Sequence, residues 1–328
     1  MGDASAPEDP SPLNKTQGSD AEQVEVGILM CTYNGATFLR EQLDSFDSQS
    51  FTSWKLYVSD DNSTDSTRSI LAEYQRRWGA NRLTIFYGPS AGFAKNFISL
   101  IKRPEIDARY FAFSDQDDIW YSDKLQRSVD CLARLNENVP ALVCTRTRLV
   151  NAERNVIGFS PLLHRPPSFR NALVQSIAGA NTMLINRCAR NIMAQLPDDA
   201  TVIAHDWLAY LLVTASGGQA IYQSDASLDY RQHGGNLIGA NASVRDRAVR
   251  LRKMLSGRLI KWNDANVEIL KAMWPLLTTE NQKIVDIFEN ARKQKLLGRL
   301  RAFRKSGIYR QNPLSNISLF LAVCVGRI

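Results

Sequence analysis

The sequence predicts a doubly wound α/β sheet, and three observations carry that prediction. Apolar runs of strand length alternate with amphipathic, helix-period segments across Val24–Val150, the pattern of strands joined by crossover helices. The runs are apolar at successive positions, as strands covered on both faces must be. Three of them end in polar clusters: Thr32-Tyr33-Asn34, Asp60-Asp61-Asn62 and Asp115-Gln116-Asp117-Asp118. Ligands of open α/β sheets sit outside the carboxyl ends of the strands, so the three clusters should meet on one rim.

The first strand is Val24–Thr32, stopped by Tyr33-Asn34-Gly35 and followed by a helix with Phe38, Leu39, Leu43 and Phe46 on one face. The second is Trp54–Ser59, and the polar run Asp60–Asp65 after it offers N-caps to a helix at Ser66–Trp78. Leu83–Tyr87 is a third strand, with Gly88-Pro89 and a helix from Gly92 through Ile101 behind it. The fourth, Tyr110–Ser114, runs into the aspartates, with a helix to follow within Tyr121–Leu135. Ala141–Val150 is a fifth, whose Thr/Arg alternation suggests a sheet edge. Asn151–Gln175, with Pro161, Pro166 and Pro167, reads as a long loop or lid. Ser176–Asn186 is rich in small residues that let backbone approach a ligand. Helices at Arg187–Leu196 and from His205 to Ala215 come next, then short strands at Ala220–Tyr222 and Ser227–Arg231 leading into Gln232-His233-Gly234-Gly235-Asn236.

Composition narrows the class. The chain is 328 residues long, 44% hydrophobic and 22% charged, which is globular. Five cysteines without a CxxC fit a reducing compartment and exclude a zinc ribbon or disulfide framework. Residues 1–23 are polar and rich in Pro, Ser and Asp, which suggests a disordered leader and not a signal peptide. No run reaches the ~20 apolar residues that span a bilayer. The charge is +7, unevenly spread: Arg245–Arg310 carries 17 Lys/Arg against 6 Asp/Glu, a net +11, which leaves −4 on the rest.

Three carboxylates within four residues repel one another and raise one another's pKa unless a cation neutralises them. Hard oxygen ligands at this spacing suit Mg²⁺ or Mn²⁺, ions that also take phosphate oxygens. An acidic turn capping the next helix is the plain alternative. No GxGxxG and no GxxxxGK[ST] occurs in the chain, so a bound nucleotide would need a metal for its diphosphate.

In this order, VGILMCTYNG, VSDDNSTDS, GFAKNF, FSDQDDIW, GANTMLINR, HDWLAYLL and YRQHGGN resemble the inverting family 2 glycosyltransferases of GT-A fold. FSDQDDIW, HDW and YRQHG resemble the rhamnosyltransferase-like members that build bacterial surface polysaccharides. The resemblance covers residues 24–240 and implies there a Rossmann-like, mostly parallel sheet with flanking helices, while charge and leucine spacing predict a basic amphipathic helical extension over 241–328. It implies that Asp115 and Asp117 form the DxD pair, with Asp117 on the divalent metal. Asp118 is either a further ligand or a support to the others. Asp60 or Asp61 would accept a hydrogen bond from the donor base, and Thr32 and Tyr33 would line its pocket. Asp206 would be the general base, set against the plainer role of a helix N-terminal acid favoured by the dipole. His233 would contact metal or diphosphate, although a lone His is more often structural. Arg231 would meet phosphate oxygens, and Lys95 with Asn96 would help hold the nucleotide, although a solvated lysine is the plainer reading of Lys95. Where the wider family often has Glu before the base, this chain has His205.

The basic tail repeats leucines at helical spacing, as Leu251, Met254, Leu255 and Leu259 and again as Leu296, Leu297, Leu300 and Phe303, interleaved with Lys and Arg. Basic amphipathic helices suit an anionic membrane surface. Nucleic acid is the rival partner, but none of its fold motifs is present. These features together predict a metal-dependent sugar transferase working from the cytoplasmic face of the membrane. The expected donor is a dTDP- or UDP-sugar, first dTDP-L-rhamnose, and the acceptor a lipid-linked glycan or oligosaccharide. A sugar-nucleotide nucleotidyltransferase would need a glycine-rich basic loop where Tyr33-Asn34-Gly35-Ala36 stands. A non-catalytic membrane scaffold would have no use for Asp115, Asp117 and Asp206.

Overall fold

The computed structural model describes residues 24–233 and 259–328. Strands β1 (Val26–Thr32), β2 (Trp54–Asp60), β3 (Leu83–Tyr87) and β4 (Tyr110–Ser114) pair in parallel in the order β3-β2-β1-β4. They are joined by α1 (Leu39–Asp47), α2 (Thr67–Trp78) and α3 (Phe93–Lys102). Both sheet faces are covered, and the side-chain period of 2 sorts β1 between them. Val26, Ile28 and Met30 are buried with Leu43, Phe46 and Ile70, while Leu29 is buried with Phe97, Ile101 and Phe113 on the other side.

The second half is mixed. It contains β5 (Ile119–Trp120), α4 (Lys124–Leu132), β6 (Ala141–Val150), β7 (Val156–Phe159), α5 (Phe169–Ala172), β8 (Leu184–Asn186), α6 (Arg187–Ala194), α7 (His205–Ala215) and β9 (Gln219–Arg231). The sheet continues from β4 through β8, β6 and β9 to β5, with β7 paired to β6. β8 is antiparallel to both β4 and β6, whereas β6 and β9 are parallel.

Three expectations are corrected here. β6 is not an edge: it lies between β8 and β9. Its arginines are tolerated because Arg148 donates to the Asp229 carboxylate on β9 at 2.6 and 2.8 Å and Arg146 stacks on Phe159. The two short strands proposed near the end of the sheet are one strand, β9, which shifts register against β6 near Arg146. The supposed loop 151–175 contains β7 and α5, so its first half is a hairpin arm.

Residues 259–328 form α8 (Leu259–Ala272), α9 (Thr279–Lys293), α10 (Leu296–Ser306) and α11 (Pro313–Cys324). Leu270, Phe288, Leu319 and Val323 share one buried cluster with Trp207, Leu208 and Leu212 of α7. These helices are therefore packed under the sheet. Among the described residues no helix is long and apolar enough to cross a membrane. The proposed leader, 1–23, and the first basic helix, Arg245–Gly257, lie outside the described residues.

Candidate active site

The acidic turn after β4 is fixed from behind. Asp118 is fully buried; its carboxylate accepts from the Asn181 amide at 2.5 Å and from the Arg231 backbone N–H at 3.3 Å. Burial and the charges of Asp117 and Asp115 push its pKa well up. Asp118 therefore ties the turn to Asn181 and to the backbone of β9. Asp117 points the other way, with its Oδ2 2.8 Å from His233 Nε2. Burial, together with the Asp117 and Asp206 charges, pushes Asp115 up to about 7. Asp115 thus feels the charges of both Asp117 and Asp206, so β4 and the start of α7 bring the Asp206 carboxylate near Asp115.

Arg231 does not present its guanidinium to a phosphate. It is buried, donating to the Asp117 carbonyl at 3.1 Å, the Ala152 carbonyl at 2.7 Å and the Glu41 carboxylate at 2.9 Å. Phe38, expected on the core face of α1, instead lies between Arg231 at 4.4 Å and the His233 ring at 4.9 Å. Arg231 is thus a brace that ties β9, the β6–β7 turn and α1 to the acidic loop.

The neighbouring rim is tied equally firmly. Asp60 Oδ1 accepts from the Thr32 and Ser63 hydroxyls at 2.9 and 2.5 Å. Its Oδ2 accepts from the Ser63 N–H and from Arg68 Nε at 3.0 and 2.6 Å. Burial would raise its pKa, but these bonds from Ser63, Arg68 and Thr32 hold it below the usual carboxylate range. Asp60 therefore has its lone pairs filled by the protein. Among the described residues Asp61 accepts from the backbone N–H groups of Ser90 and Gly92, at 2.6 and 3.3 Å. Of the two carboxylates first considered for the donor base, Asp61 is the one with capacity left. Thr32 is buried behind Asp60, whereas the Tyr33 ring is 59% exposed.

The polar run after β2 does more than cap α2. Ser63, Thr67 and Asp65 accept from the N–H groups of Asn34, Gly35 and Ala36 at 2.9, 2.8 and 3.0 Å. Gln116 closes the loop from the other side, pairing with the Tyr33 N–H and carbonyl at 2.9 and 3.1 Å. A Cβ at Gly35 would meet the Gln116 amide at 2.2 Å. Gly35→Ala should therefore push Gln116 off Tyr33 and cost about 1 kcal/mol, the usual net worth of such hydrogen bonds. A urea midpoint equal to that of the unchanged protein would show that Gln116 relocates freely.

Asp206 lies in the first turn of α7, its Oδ2 accepting from the Ser176 hydroxyl at 3.2 Å. Burial pushes its pKa up to about 6 against the N–H of Trp207 and the Ser176 hydroxyl, which pull it down. His205 beside it is buried, stacked on Phe97 at 3.8 Å, and burial holds its pKa down to about 3. It is a neutral packing residue. Lys95 is exposed on the flank of α3, in the wall of a cavity of about 280 Å³ shared with Pro89, Lys102 and Pro197. Its neighbour Asn96 is buried and donates to the Ser59 carbonyl at 3.0 Å.

Whether a divalent ion suits this cluster can be asked of the side chains. Among the described residues no three Asp, Glu, His or Cys side chains converge as a closed cage. Mg²⁺-type ions at phosphate sites commonly take only one or two carboxylates, with substrate oxygens and water completing the shell. Asp117 with Asp115 provides that number, with His233 adjacent. Burial raises the Asp115 pKa most, and the repulsion from Asp117 and Asp206 that adds to it is what such an ion would relieve. The residues fit.

Gln116, Asn181, Ser176, Glu41 and Phe38 went unrecognised as site residues. Their partners lie far away in sequence, and only the Asp-x-Asp alternation hinted that Gln116 would face apart from its neighbours.

Comparison with known proteins bears on the family and the fold. A dTDP-rhamnosyl transferase of Shigella flexneri, RfbG, is 29% identical over 235 residues, which cover 68% of this chain and 78% of that protein. An Escherichia coli UDP-Glc:alpha-D-GlcNAc-diphosphoundecaprenol beta-1,3-glucosyltransferase, WfgD, is 32% identical over 111 residues, 34% of this chain and 42% of that protein. Residues 1–349 of S. aureus TarS, crystallised with UDP-GlcNAc, superpose with a TM-score of 0.51 at 15% identity, covering 87% of this chain and 93% of that one. At that identity the likeness is one of fold, and the fold is GT-A. Residues 27–190, half of the chain and the whole run from β1 into α6, match the model of Glycosyl transferase family 2, and the chain belongs to that family.

Proposed function

We propose that the protein is an inverting, metal-dependent glycosyltransferase that moves L-rhamnose from dTDP-L-rhamnose to a lipid-linked glycan of a bacterial surface polysaccharide. The observation that carries this reading is Asp206, a lone carboxylate at the start of α7 raised to about 6, whose charge acts on Asp115 of the acidic turn. A base of that pKa is mostly ionised at neutral pH yet basic enough to take a proton from an acceptor hydroxyl. One base opposite one leaving group is what single-displacement inversion needs. Asp117, with Asp115 and His233, would hold a divalent ion, Mg²⁺ or Mn²⁺, and that ion would stabilise the charge of the departing nucleoside diphosphate. Asp61 receives the donor base beside Tyr33, and Thr32 and Asp60 shape that wall.

The donor assignment is supported by the rhamnosyl transferase relative, and the acceptor class by the relative whose name specifies a diphosphoundecaprenol acceptor. The acceptor would place the enzyme peripherally on the cytoplasmic face of the membrane. In this reading residues 24–240 do the chemistry and 241–328 meet the membrane. The test is thermal stabilisation by a panel of nucleotide sugars, with and without Mn²⁺ or Mg²⁺. dTDP-L-rhamnose with metal should give the largest shift. A larger shift from another nucleotide sugar would overturn the donor assignment, and equal shifts with and without metal would overturn the metal.

A further inference from the structure

We propose that one face of α11 is a membrane-insertion surface that seats the protein on an anionic bilayer. The proposal builds on the lipid-linked acceptor reading, but its test does not depend on it.

α11 carries no charged side chain, and its only polar ones are Ser315, Asn316 and Ser318. One side, with Leu319, Ala322 and Val323, is buried against the body of the protein. The other should be polar if water covered it. Instead Leu314, Ile317, Phe320 and Leu321 are 46–61% exposed, and Val325 just beyond the helix is 60% exposed. At 100° per residue these positions fall on one stripe, and no charged residue interrupts Pro313–Val325. A contiguous exposed apolar stripe of this kind marks a surface that something covers.

The surrounding charge identifies what covers it. Asn290–Ile328 holds nine Lys/Arg and no Asp or Glu. Lys295, Arg301, Arg304 and Lys305 are exposed along α10, next to α11 in the chain. Arg299 ties the two helices together by donating to the Val323 carbonyl at 3.0 Å. An apolar stripe beside the exposed cations of α10 complements an anionic leaflet, which takes the side chains into its acyl boundary and the cations at its headgroups. A second copy of the chain fits poorly, because a two-fold contact would set the same cations against each other. At 12 residues the helix is too short to cross, so the stripe lies in the membrane plane.

Flotation with vesicles of phosphatidylcholine and phosphatidylglycerol tests this. Replacing Leu314, Ile317, Phe320 and Leu321 together by Gln should lower the partition coefficient about tenfold or more, since the insertion face is lost. Replacing Arg301, Arg304 and Lys305 by Glu should abolish recruitment at low salt, because headgroup attraction is screened beyond ~10 Å at 0.1 M salt. The targeted side chains are exposed, so both variants should keep the wild-type melting temperature and nucleotide-sugar binding. Deleting the whole tail would be uninformative, since it strips the cover from α7. If the Gln variant floats as well as wild type, the insertion face is wrong. If wild type ignores the vesicles but forms a dimer that the Gln variant does not, the stripe belongs to a second copy. Loss of transfer with vesicle binding retained would count against the acceptor reading and leave this one standing.

Discussion

Asp206→Asn should lower turnover by ~10²–10⁴, the range for loss of acid–base help, with donor affinity nearly unchanged. Asn keeps the size and the hydrogen bond from Ser176 but cannot take a proton. The unsubstituted enzyme should also show an acidic limb near pH 6, where burial has placed the Asp206 carboxyl, with turnover falling as the base is protonated below that value. The same shift predicts a stability effect of definite sign. A carboxyl raised from 3.8 to about 6 binds its proton more tightly in the folded state. Its contribution is most favourable below the unfolded pKa and is lost as pH rises through that window. At neutral pH the Asn variant, carrying no buried charge, should therefore melt no lower than wild type. Single-turnover rates, donor titration and melting curves check all three. A loss of donor binding matching the loss of rate would assign Asp206 to the nucleotide and not to the acceptor.

The parts of the molecule legible in the sequence were those whose physics is local. β1 to β4 alternate with helices and are apolar on both faces, so their pattern states their environment. The position of Asp206 at a helix start and of the acidic run at a strand end followed from the same local signals. β8 is three residues long and β9 passes through Gln223, Ser224 and Asp225, so neither carries a period long enough to recognise. The Thr/Arg alternation of β6 looked like an edge because its counter-charge, Asp229, sits 81 residues away. The three aspartates after β4 are equivalent as letters. Asn181, 63 residues on, and the backbone of Arg231 turn Asp118 inward, and His233 meets Asp117. Arg231 was assigned to phosphate from its charge and neighbourhood alone. Its partners come from the acidic loop, the β6–β7 turn and α1, which no spacing rule could anticipate.

Asp117→Asn should reduce turnover by at least ~10²–10³, the scale for removing a group aimed at developing charge, and should do so without unfolding the protein. The turn is held by Asp118 and by Arg231 on the Asp117 carbonyl, so its shape does not depend on the Asp117 carboxylate. The amide also keeps a partner for His233. What the substitution removes is the negative charge, and with it most of the attraction for a divalent cation. The variant should therefore need far more Mn²⁺ or Mg²⁺ to reach its residual rate, and EDTA should lower the wild-type rate toward that of the variant. Melting temperature and nucleotide binding without metal should stay close to wild type, which separates lost chemistry from lost structure. Turnover that is unchanged in the variant and insensitive to EDTA in both proteins would remove the metal from this site and leave Asp117 as a partner of His233 alone.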